Sequence, residues 1–101
     1  MLLAMDAAII NAKDFIDESR PVIDAARAIG DQAAAILRTG ASVVVSVHGV
    51  RGVSSSFFNI LLSCVSDPLK NDFSDGRFAV QTETKTQDMI YRRSLAAIVG
   101  H

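Results

Sequence analysis

The sequence is short of the residues that staple or metallate small proteins. It has one cysteine, Cys64, and two histidines, His48 and His101. One cysteine excludes an internal disulfide, so a cytoplasmic location is the simplest expectation. Three such ligands in all argue against a protein-built zinc site. Gly49 and Gly52 lack the spacing of a phosphate-cradling loop. No cofactor is therefore expected. An excess of one charge is also missing: ten basic residues meet eleven acidic ones, for a net charge of -1. That balance offers no electrostatic footprint for nucleic acid. Nor is there a long hydrophobic run. The opening "MLLAMDAAII" carries Asp6, has no basic region before it, and is too short to cross a bilayer or make a good signal peptide. Repeats, low-complexity stretches and linkers are absent as well, and no membrane partner is expected.

What is present is ample apolar material. Half of the 101 residues are hydrophobic and 21% are charged, which fits one small globular domain over residues 1–101. Ala7 to Ala12 reads as a strand and Asp14 to Pro21 as irregular chain. Helix formers fill Val22 to Gly40, with Ile29, Ala33, Ile36 and Leu37 at helical spacing. Gly30 costs a helix about 1 kcal/mol relative to alanine. The helix is therefore expected over Asp31 to Thr39, with Asp31 as its cap and Gly40 as its stop. Ser42 to Val47 is a valine-rich strand of the kind covered on both faces, expected at the centre of the sheet.

A second helix follows, with Phe57, Phe58, Ile60, Leu61, Cys64 and Val65 as its stripe, ending at Asp67-Pro68. On that stripe Cys64 reads as a buried, inert thiol. Ser74 to Arg77 is a turn and Arg77 to Glu83 a third strand, with Phe78 and Val80 on one face. In the last helix Thr84 and Gln87 have capping-box spacing, and Ile90, Tyr91, Leu95 and Ile98 form a stripe. The order β-α-β-α-β-α predicts an α/β domain with a mostly parallel sheet and helices packed on it.

The informative segment is "VVVSVHGVRGVSSSFFNILLSCV", Val43 to Val65. Three serines, Ser54, Ser55 and Ser56, stand where a strand hands over to a helix. Serine is favoured at a helix N-cap, where its oxygen accepts an orphan backbone N–H. The helix is expected to start within Ser54 to Phe57, with at least one serine hydroxyl on a backbone N–H. The carboxyl ends of strands are also where α/β sheets build sites. A phosphate there would add a charge of about -1.5 to -2 beside the positive end of a helix. No Asp or Glu lies between Asp31 and Asp67, so the segment carries no carboxylate of its own. Such a position suits a binding switch.

The same segment resembles the strand-turn-helix of the STAS domains of the anti-sigma-factor antagonist type. The closer likeness is to a compact STAS-like group, through Gly49-Val50 and Ser55-Ser56-Phe57. "NAKDF" at Asn11 to Phe15, Arg20, and "GDQAAAILR" at Gly30 to Arg38 extend the likeness along the chain. Ser54 stands where the family has aspartate, and Phe57 where it has glycine. The resemblance implies a STAS-like fold and a non-enzymatic regulatory module. Its partner would be an ATPase-domain kinase of the anti-sigma-factor type, and ATP would belong to that kinase. It places the phosphoacceptor at Ser55 and contacts at Val50, Arg51, Ser54, Ser56 and Asn59. The alternative is a constitutive interaction or assembly module, a homo-oligomer included, with the serines only capping the helix.

Other residues carry weaker chemistry. His48 lies seven positions before Ser55, but the flanking sequence is no Gly-x-Ser-x-Gly elbow. Arg51 suits a phosphate or carboxylate on a partner. Tyr91 fits the core stripe of the last helix better than it fits nucleic acid. The apolar "MLLAM" start suits cover for a sheet edge or pairing with a second copy.

Overall fold

The computed structural model describes residues 8–16, 21–51, 53–69, 73 and 76–99. Strand β1 (Ala8–Asn11) runs into a 3-10 turn, Ala12–Phe15. Helix α1 (Val22–Arg38), strand β2 (Val43–Ser46), helix α2 (Ser55–Leu69), strand β3 (Phe78–Gln81) and helix α3 (Lys85–Val99) follow. The three strands form an all-parallel sheet in the order β1-β2-β3. The expected α/β class, element order and central position of the valine strand are thus observed. The first strand is shorter than expected, because Ala12 already belongs to the 3-10 turn. Ser74 and Asp75 of the expected turn, and the "MLLAM" start, lie outside the described residues.

Side chains alternate across a sheet, so the register sorts the two faces. Ile10, Val43, Val45, Val47 and Phe78 are buried and join the helical core. The other face aligns Ile9, Val44 and Ala79 in one row, with Asn11, Ser46 and Gln81 in the next. Ile9 is 66% exposed, Ala79 is exposed and Val44 only half-buried. The valine run is therefore central but not covered on both faces. Strand order accounts for this: right-handed crossovers taken in one direction along a sheet lay the helices on one side.

Helix α1 corrects a second expectation. It runs unbroken from Val22 through Gly30, so Asp31 sits in mid-helix and caps nothing. Gly30 is buried against α2, where an added Cβ would lie 2.6 Å from the Cβ of Cys64 and 2.7 Å from its Sγ. The glycine is the seat for a close helix–helix contact, and packing outweighs its weak propensity. The stop at Gly40 is observed, with φ at +93°. The Arg77 guanidinium donates to the Leu37 carbonyl near the end of α1, tying it to the start of β3.

Helix α2 likewise outruns its expected end, with Pro68 inside its last turn. Proline breaks a helix chiefly by removing a donor and crowding the carbonyl four residues back. Here that cost falls on the final turn only, with one residue of helix left after Pro68, and buried Leu69 holds the turn on the core. Phe57 and Phe58 are fully buried and meet edge to face at 5.4 Å. Each burial is worth about 1.5–3 kcal/mol. Phe58 also packs on Tyr91, the ring centroids 5.4 Å apart and the planes tilted by 58°, joining α2 to α3.

Candidate functional site at the carboxyl ends of the strands

The loop after β2 emerges beside the ends of its two neighbours. Val47 continues the ladder, its N–H donating to the Gln81 carbonyl at 3.0 Å. The Val50 N–H then turns back to the Val47 carbonyl at 3.2 Å. Gly49 adopts φ +79°, a conformation that favours glycine. Two bonds moor the loop to the start of α3. The Gly49 N–H donates to Glu83 Oε1 at 2.8 Å, and Gln87 Nε2 donates to the Val50 carbonyl at 3.2 Å. Glu83 is a carboxylate that sequence distance concealed: the segment carries none of its own, but the fold brings one against it.

Val50 is 6% exposed and belongs to the core. It therefore leaves the set of expected contact residues and serves as the plug that holds the loop down. Arg51, Ser54, Ser55, Ser56 and Asn59 are all exposed. Helix α2 starts at Ser55, inside the expected window, with the Phe58 N–H donating to the Ser54 carbonyl at 3.3 Å. The expected hydroxyl cap is missing. Among the described residues, no side chain of Ser54, Ser55 or Ser56 accepts a backbone N–H. Phe57 points inward and anchors this first turn.

His48 and Ser55 are both exposed, and no hydrogen bond joins them. The His48 N–H donates instead to Ser46 Oγ at 3.4 Å. Among the described residues no group of three His, Cys, Asp or Glu side chains could hold a metal ion. No helix among them is long and apolar enough to cross a membrane.

Two hollows flank the serine turn. An open cleft of about 400 Å³ between α1 and α2 is lined by Arg27, Asn59, Ile60, Ser63 and Cys64. Ser55, Asn59 and Ser63 succeed one another at four-residue spacing on α2, so the serine turn and the cleft share one surface row. Cys64 is half-buried rather than fully buried. Burial first, then the nearby Asp31 carboxylate, push its thiol up, against a smaller opposing pull from Arg27. It is a packing thiol, not a thiolate. The second hollow, of about 110 Å³, is lined by Lys13, Ile16, Gly49, Val50 and Arg51. Nothing in the sequence links residue 13 to residue 51; the fold sets Lys13 and Arg51 on one hollow. No family model, curated protein or solved structure matches the chain.

Proposed function

We propose that the chain is a non-enzymatic, cytoplasmic regulatory module of the STAS-like type. It binds a protein partner of the ATPase-domain kinase class through Arg51, Ser54, Ser55, Ser56 and Asn59. Ser55 accepts the phosphate that switches this contact. The observation that carries the reading is the state of the serine turn. Its three hydroxyls are exposed and cap nothing, while Phe57 and Phe58 fix the backbone beneath them.

The chemistry is a phosphoryl transfer. Ser55 Oγ attacks the γ-phosphorus of the kinase's ATP, ADP leaves, and the hydroxyl proton passes to a base on the kinase. The first turn of α2 holds no acidic residue, and the helix N-terminus favours added negative charge by about 0.3–1 kcal/mol. A partner surface shaped for a neutral hydroxyl would be repelled. The open sheet face, with Ile9, Val44 and Ala79, favours a second reading, a constitutive assembly module. Mass spectrometry of the protein after incubation with its kinase and ATP separates the two. The switch requires one phosphoryl group on Ser55. Its absence, with equal partner affinity for Ser55→Ala and Ser55→Asp, leaves the assembly module.

A further inference from the structure

The smaller hollow combines features that no expectation from sequence had joined. Lys13 reaches it from the 3-10 turn after β1, and Arg51 from the loop after β2. These are the carboxyl ends of two adjacent parallel strands, where α/β sheets gather ligands. Among the described residues neither cation makes an ion pair. The Glu83 carboxylate is near, but it accepts the Gly49 N–H and pairs with neither of them. Ile16 and Val50 supply apolar wall, which strengthens charge interactions beside it.

We propose that this notch is an oxoanion subsite that takes one phosphate-sized group. Size decides the class. At about 110 Å³ the hollow falls well below the ~300 Å³ at which pockets for drug-sized ligands begin. The hollow is too small to enclose a whole nucleotide, whereas it has room for a single tetrahedral group. The donors decide the charge. The Gly49 and Val50 N–H groups already donate to Glu83 and Val47, so recognition falls on the two cationic side chains. A guanidinium fork beside an ammonium suits phosphate oxygens, the fork by geometry and the ammonium as a point charge. The subsite needs no modification of Ser55, so it stands or falls separately from the switch.

The test is an amide NMR titration of the full chain with inorganic phosphate at constant ionic strength, repeated with O-phosphoserine. Saturable shifts are expected at Lys13, Gly49, Val50 and Arg51. Lys13→Gln and Arg51→Gln should each weaken binding about tenfold, the worth of one charge-assisted contact. Lys13→Arg and Arg51→Lys keep the charge and should retain most of the affinity. Arg93→Gln, an exposed cation on α3, should change nothing. Tighter binding of O-phosphoserine would assign the notch to phosphomonoesters; equal or tighter binding of phosphate would assign it to the free anion. Linear, unsaturable shifts would overturn the proposal, as would an equal loss in Arg93→Gln. Circular dichroism confirms the fold of each variant.

Discussion

Helices α2 and α3 start in opposite ways. The start of α3 is satisfied by side chains: Thr84 Oγ1 accepts the Gln87 N–H at 3.1 Å, and Gln87 Oε1 accepts the Glu83 and Thr84 N–H groups at 2.7 and 3.4 Å. The start of α2 offers three serine hydroxyls and uses none of them as a cap. Burial explains how α2 manages. It buries Phe57, Phe58, Leu61, Leu62, Val65 and Leu69, whereas the stripe of α3 is only half-buried. A helix held by its core can leave its first turn to other work; a helix lying on the outside needs its cap.

The strongest way to break this contrast is to remove the anchor of α2. Phe57→Ala should cost about 3–5 kcal/mol in a denaturant melt, because a fully buried ring leaves a cavity. A loss below about 1 kcal/mol would mean that burial does not hold the turn. Gly30→Ala comes next, and its sign is diagnostic. In a free helix the change stabilises by about 1 kcal/mol. Here the added methyl meets Cys64, and overpacking should destabilise by about 1–3 kcal/mol. A double-mutant cycle with Cys64→Gly should show the two changes costing less together than the sum of each alone, because the contact includes the Cβ of Cys64 itself.

Smaller effects test the caps directly. Thr84→Ala should cost about 1 kcal/mol, the usual worth of an N-cap. Replacing Ser54, Ser55 and Ser56 together by alanine should move stability by no more than about 0.5 kcal/mol. A loss of about 1 kcal/mol or more there would make the serines caps after all and favour the assembly module.

The capping box was legible in the sequence because both partners lie within one turn of α3. The strands and the inward stripes were legible for the same reason, since their periods repeat locally. What escaped depended on distant residues. Gly30 reads as a helix breaker until Cys64, from another helix, is set against it. Val50 reads as a surface contact in its loop, yet the fold turns it into the core. The valine run reads as doubly covered until strand order leaves Ile9, Val44 and Ala79 on the open side. Glu83 and Lys13 reach the loop after β2 only because neighbouring strands end beside it. The serines were legible as a helix start by position, and their hydroxyl cap failed because burial made it unnecessary.

The central claim is that Ser55 switches a contact without holding up the fold. It is tested most directly by partner affinity, measured calorimetrically for wild type, Ser55→Ala and Ser55→Asp, with melting curves recorded in parallel. The account predicts that Ser55→Ala binds as wild type does and that Ser55→Asp binds at least about tenfold more weakly, a loss of about 1.4 kcal/mol. All three should melt within about 0.5 kcal/mol of one another in stability. Equal affinities for all three proteins would contradict it.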